Sequence, residues 1–224
     1  MTSWIVEMSF LCEELVVKII CLHASSYNIA LVDEGMRGIN IEVDHVVDQQ
    51  LLHLIQREES EQQYTYIHQK LQQLIAKKPD AILITCTNYI ALLEQRPLIS
   101  EVPLLMIDEM LFKQLPKTRQ TLTVLFTNKQ IVTGTLQRLR KFCPWVKQIE
   151  IMVIDNVFSW YLAGEITKHD ARIYETLLSL GNGQLMAAQL SMSRAVERYN
   201  QQHQQLVIHP LEAIRKELSM FKNE

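Results

Sequence analysis

The chain has 224 residues, of which 48% are apolar and 21% charged, and a net charge of −3. That much apolar side chain builds a core and excludes a long disordered protein. The charge balance argues against a general nucleic-acid binder, which needs a basic face, and no run of roughly 18 uncharged apolar residues marks a membrane span.

Residues 1–16 are apolar but carry Glu7, Glu13 and Glu14 and lack a basic start. They read as a helical or loosely ordered extension rather than a signal peptide. KIICLHA (18–24) is a short apolar run followed by Ser25, Ser26 and Asn28, the pattern of a buried strand entering a polar loop. Asp33-Glu34-Gly35 reads as an acidic turn in which Gly35 permits positive φ. Tyr64, Ile67, Leu71, Leu74 and Ile75 recur at spacings of three and four, one stripe of a helix. Lys77 and Lys78 suit its last turn, and Pro79 ends it. AILITC (81–86) and VPLLMI (102–107) are further strands, and Asp108-Glu109 opens a helix favourably.

The second half repeats the pattern. LTVLFT (122–127), IEIMVI (149–154), QLMAAQ (184–189) and LVIH (206–209) read as strands. Ile131, Thr135, Leu136, Leu139 and Phe142 lie on one helix, and Ile173, Leu177 and Leu178 on another that Gly181-Asn182-Gly183 terminates. Alternating strands and helices with continuous apolar strands predict mostly parallel sheets covered by helices on both faces. DAILITCTNYIALLE from 80 aligns with GQLMAAQLSMSRAVE from 183, and VPLLMIDEMLFKQL aligns with QLVIHPLEAIRKEL at the same offset of 103. KIICLH and TVLFTN align at 104 or 105. Collinear matches of this kind predict two related, pseudo-symmetric three-layer α/β halves. A cleft between them, lined by the residues after each strand, favours a small anion, because helix N-termini there carry unpaired N–H groups.

Cys86 ends a strand, and Thr87-Asn88 opens the next helix with capping-type residues. A thiol there is expected to feel the positive end of the helix dipole and have its pKa lowered, making a nucleophile or a base. The offset of 103 places Gln189 opposite Cys86 and Ser191 opposite Asn88. Glutamine exchanges no protons usefully, so the halves are chemically unequal. Thr127 and Asn128 follow a strand and can grip a carboxylate or simply cap. His23 and His209 each end a strand and are candidate acids, bases or hydrogen-bond donors. Cys21 reads as core, and Cys12 and Cys143 have no organised polar neighbours. The four cysteines form no C-x-x-C pair, which fits a reducing cytoplasm, and the histidines show no metal-type spacing, so no metal is expected. No Gly-rich nucleotide motif occurs, and no cofactor is expected.

Over roughly 17–220 the sequence resembles the aspartate/glutamate racemase superfamily. The resemblance is carried by ALVDEG (30–35), ILITCTN (82–88), VPLLMIDEML (102–111), VLFTNKQIVTG (124–134) and AAQLSMSRAVE (187–197). The CTN segment is the most specific. AQLSM resembles a largely uncharacterised branch with this segment in place of the second cysteine motif. The resemblance implies two pseudo-symmetric α/β domains with the active site between them and the C-terminal segment returning to the first, so the first domain is expected at 17–115 plus 205–224 and the second at 116–204. It also implies cofactor-independent proton transfer at the carbon next to a carboxylate of a small amino acid or dicarboxylate, and a homodimer. In the racemases two cysteines flank that carbon. Cys86 matches the first, while the second falls at Gln189 or near Ser191. The expected catalytic residues are Cys86 and Ser191. His23, Thr87, Asn88, Thr127, Asn128, Gln189 and His209 are the expected substrate contacts. Superfamily decarboxylases and maleate isomerases work with a single reactive cysteine, and a carboxylate-binding protein without activity is the further alternative.

Overall fold

The apolar runs form two parallel sheets in a computed structural model, which describes residues 16–50, 54, 60–118, 121–181 and 183–220. The extension read at 1–16, Val16 excepted, lies outside the described residues, as do Cys12 and Asn182. The first sheet holds β1 (Val17–His23), β2 (Ile41–Val47), β3 (Ala81–Ile84) and β4 (Leu104–Met106), in the order β2-β1-β3-β4. The second holds β5 (Leu122–Phe126), β6 (Ile149–Val153), β7 (Gln184–Ala187) and β8 (Val207–Ile208), in the order β6-β5-β7-β8. Every pairing in both sheets is parallel. Each side chain of β3 is buried, as an unbroken apolar run requires when helices cover both faces.

The connecting helices are α1 (Tyr27–Met36), α2 (Ser60–Ile75), α3 (Thr87–Gln95), α4 (Ile107–Lys113), α5 (Val132–Phe142), α6 (Val157–Leu162), α7 (Ile166–Ser179), α8 (Ser193–Gln202) and α9 (Pro210–Met220). Short 3-10 turns at Lys129–Ile131 and Leu190–Met192 precede α5 and α8. On α2 the stripe Tyr64, Ile67, Leu71 and Leu74 is buried, as its spacing predicts. The helix stops at Ile75, so Lys77 and Lys78 lie past it rather than in its last turn. Lys78 turns left-handed at φ 54°. That is a conformation outside the α region, which Pro79 disfavours for the residue before it.

The repeat read in the sequence is carried by the sheets. β3 begins at residue 81 and β7 at 184, β4 at 104 and β8 at 207, α4 at 107 and α9 at 210, each 103 residues apart. Identical strand order in the two sheets follows the same correspondence.

Asp33-Glu34-Gly35 is not a turn but the last part of α1. Gly35 is therefore needed for close approach, not for positive φ: a Cβ there would stand 2.6 Å from Leu211 Cδ1 of α9. The segment after 204 divides between the halves. Its strand β8 hydrogen-bonds to β7 in the second sheet, whereas α9 packs on α4 and α1 of the first. The halves meet where α5 packs on α3 and α4, and where α1 touches the 190–192 turn. At the first contact Arg138 of α5, 3% exposed, binds Asp108 through Nε at 2.6 Å and Glu109 at 2.7 Å, and also Glu94. No described helix is long and apolar enough to cross a membrane.

Candidate active site

The carboxyl ends of β3, β5 and β7 converge on a cavity of about 70 Å³ between the halves. That is room for a handful of waters, or a small ligand that displaces them. The first half supplies Asn28 of α1, Thr85, Cys86, Thr87 and Asn88. The second half supplies Asn128, Gln189, Ser191 and, from α6, Phe158, Tyr161 and Leu162. Among the described residues none lining this cavity carries a formal charge.

Cys86 leaves β3 in extended conformation, φ −98° and ψ 116°, and caps α3. The first N–H groups of a helix have no partner within it, and those of Tyr89 and Asn88 favour the thiolate of Cys86, although its side chain makes no capping hydrogen bond. The helix-end effect expected from the sequence is therefore present, but it does not win. Burial pushes the thiol above its ordinary value, the charge of Asp48 adds to that, and the two N–H groups only partly oppose it. The expectation of a lowered pKa is corrected, because the residue is 8% exposed and a thiolate there loses most of its water. Cys86 rests as a thiol.

Across the cavity Gln189 is held by the strand end beside it. Its Oε1 accepts hydrogen bonds from Thr127 N at 2.7 Å, Thr127 Oγ1 at 3.0 Å and Asn128 N at 3.2 Å. These donors were expected to grip a ligand carboxylate, and the side-chain carbonyl of Gln189 now occupies them. Thr127 itself stays behind Gln189, outside the lining. Asn128 lines the cavity while its Oδ1 accepts from Gln130 N at 3.0 Å, so it caps the following turn. Ser191 lies in the 190–192 turn on the cavity wall.

Two predicted residues lie elsewhere. His209 is buried ahead of α9 and lines a separate cavity of about 360 Å³ with Glu197, Asn200 and Lys216. Burial draws its pKa down to about 4, with Arg215 and Lys216 adding to the shift. His23, the last residue of β1, is fully buried behind Thr85 rather than on the wall. Its Nδ1 is 2.9 Å from Thr85 Oγ1 and its Nε2 2.9 Å from His45 Nδ1. His45 Nε2 lies 2.8 Å from Asp33 Oδ1. Burial, and then His45, lower the pKa of His23 to about 4, so it is neutral at neutral pH.

Cys21, His23 and His45 bring donor atoms within 4.8 Å of one another, the one such group among the described residues. The imidazole nitrogens there are all committed to the hydrogen bonds just given. Burial pushes the Cys21 thiol up to about 12, so it is not the thiolate a zinc ion takes. The donor set thus fits a hydrogen-bonded chain better than a metal centre.

Behind Cys86, Asp48 accepts from Tyr89 Oη at 2.6 Å and Tyr66 Oη at 2.7 Å. Burial works against its charge, but these hydroxyls, Lys70 and the Gln50 N–H outweigh it and hold the carboxyl below its ordinary range. Three residues escaped the sequence reading. Thr85 was visible within ILITCTN, and Asn28 within the polar loop after β1. Tyr161, which donates to Asn28 Oδ1 at 2.8 Å across the halves, sits on a short helix with no motif to mark it.

At the level of sequence, no family model and no curated protein matches the chain. Its fold does match solved structures. An aspartate racemase from Picrophilus torridus superposes with a TM-score of 0.70 at 13% identity, over 92% of this chain and 94% of that one. A glutamate racemase from Campylobacter jejuni gives 0.66 at 12%, over 92% and 86%. An allantoin racemase from Klebsiella pneumoniae gives 0.64 at 16%, over 92% and 87%. The chain therefore has the two-sheet α/β fold of the aspartate, glutamate and hydantoin-type racemases, as the sequence resemblance implied.

Proposed function

We propose that the chain is a cofactor-independent, racemase-like enzyme that moves a proton at the carbon next to a carboxylate of a small amino acid or dicarboxylate. Cys86 is the reacting group. The observation that carries this reading is its position, a thiol on the wall of an interdomain cavity at a helix start, where the N–H groups of Asn88 and Tyr89 favour the thiolate. Removing an α-proton builds charge on the carboxylate. Thr87, Asn88 and Ser191 line the cavity and in this reading donate to it, since fixed dipoles in a small cavity stabilise such charge better than water does.

The opposite face has Gln189 where a second thiol would stand. One-base chemistry follows, and the resting thiol is better suited to giving a proton than to taking one. This favours, as the second reading, a single-cysteine decarboxylase; a single-cysteine cis-trans isomerase also needs no second thiol, but its cysteine must react as the thiolate. Ser191 puts a hydroxyl on the far wall, and its role is to bind rather than to act as a base. A binding protein that keeps the cavity without turnover is the remaining alternative.

The test is incubation in deuterated water with aspartate, glutamate, a 2-substituted malonate and maleate, followed by proton NMR. Loss of an α-proton signal identifies the racemase-type reaction. Release of carbon dioxide, or fumarate from maleate, identifies the single-thiol alternatives. The proposal predicts at least one of these, abolished in Cys86→Ala. Ligand-induced thermal stabilisation with no turnover of any probe assigns the chain to binding instead.

A further inference from the structure

We propose that Asp33, His45, His23 and Thr85 form a proton relay that connects the wall of the interdomain cavity beside Cys86 to solvent on the far side of the first sheet's strand ends. The inference rests on the reading that protons move in this cavity, and supplies the path by which they leave and return. The relay runs from α1 through β2 and β1 to the end of β3 in contacts of 2.8, 2.9 and 2.9 Å. The Asp33 side chain is 57% exposed, that of His45 16%, and His23 is fully buried. Thr85 stands on the cavity wall beside Cys86. In the other half the offset of 103 puts Ala188 where Thr85 stands, and Thr127 at the end of β5 hydrogen-bonds to Gln189 instead.

The donors and acceptors allow two arrangements. Asp33 only accepts, so His45 carries a proton on Nε2 in both. In the neutral arrangement His45 Nδ1 is bare, His23 Nε2–H donates to it, and Thr85 O–H donates to His23 Nδ1. In the protonated arrangement His45 is an imidazolium whose Nδ1–H donates to His23 Nε2. His23 Nδ1–H then donates to Thr85 Oγ1, and the Thr85 hydroxyl donates to Leu22 O, 3.1 Å away. The two differ by one proton. A proton entering from the cavity binds Thr85 Oγ1, the hydroxyl proton passes to His23 Nδ1, and the Nε2 proton passes to His45 Nδ1. The charge comes to rest beside the Asp33 carboxylate, and His23 changes tautomer without becoming a cation. The reverse passage recharges the cavity. The titratable groups facing the rings are Asp33 from α1 and Cys21 from β1, with Cys86 and Asp48 beyond Thr85.

The experiment is nitrogen-15 histidine NMR on the full chain, with Thr85→Val and Thr85→Ser. At pH 8 the relay requires neutral His23 with its proton on Nε2. On acidification, the step that protonates His45 must move the His23 proton to Nδ1. Thr85→Val uncouples that switch and Thr85→Ser keeps it. A purely structural histidine pair would titrate without the tautomer change. Where a probe carboxylate exchanges its α-proton, Thr85→Val slows exchange by about tenfold or more, and Thr85→Ser restores it. A His23 that carries its proton on Nδ1 at pH 8, or rings that titrate independently, overturns the relay. A coupled switch in a protein that exchanges no probe leaves the relay standing and refutes the proposed reaction instead.

Discussion

At Cys86 two effects of one location compete, and burial outweighs the helix start. The sequence makes the helix start legible, because Thr-Cys-Thr-Asn after an apolar run can be little else. It does not make the burial legible, because the cavity wall around the sulfur is assembled from both halves of the chain. Gln189 follows the same logic. Its alignment with Cys86 can be read from the repeat, but not that its carbonyl would take the donors of Thr127 and Asn128. Gln189→Ala leaves those donors without a partner, and an unmet buried donor costs about 1–3 kcal/mol. Melting temperature should fall, and formate or acetate, which can accept the same hydrogen bonds, should restore part of the loss. No rescue by either anion would show that the donors are not an anion site.

Among the elements, the best-read are those whose pattern is local. β3 and α2 need only an unbroken apolar run and a stripe of three-four spacings. The end of α1 reads as a turn in the sequence because its acidic residues face solvent and its glycine serves Leu211 of α9, 176 residues away (211 − 35). Gly35→Ala should therefore destabilise by about 1–3 kcal/mol through overpacking against Leu211, as denaturant unfolding would report. An unchanged midpoint would mean that α9 shifts freely. The contact between α5 and α4 depends on a buried charge cluster with no sequence signature beyond ordinary helix residues. Asp108 was read only as a favourable helix start, yet it is Arg138 that offsets its burial. Arg138→Met strands that carboxylate and should cost about 3–5 kcal/mol. A loss below about 1 kcal/mol would show that the cluster is not a strut between the halves.

The whole molecule joins two copies of one architecture that have diverged in chemistry. Their common sheet order was legible as a repeat, while the cavity arises only when the copies face each other. Its acid sensitivity is also a property of the whole. His23 and His209 are held neutral, with pKa values drawn from 6.5 to about 4. In that window the unfolded chain binds more protons at these sites than the folded one, so their contribution to stability falls as pH drops from 6.5 toward 4 and is level below. Each contributes on the order of 3 kcal/mol. Melting temperature should decline through that window, and His209→Gln should make the decline shallower. A flat profile would contradict the burial of both rings. The most direct test of the central claim is the rate of Cys86 alkylation by iodoacetamide against pH, with Cys86→Ala as the control and small carboxylates as protectants. The account predicts a midpoint above the ordinary thiol value of 9.0 and protection by a carboxylate that fits the cavity. A midpoint below that value, or alkylation that no carboxylate slows, would contradict it.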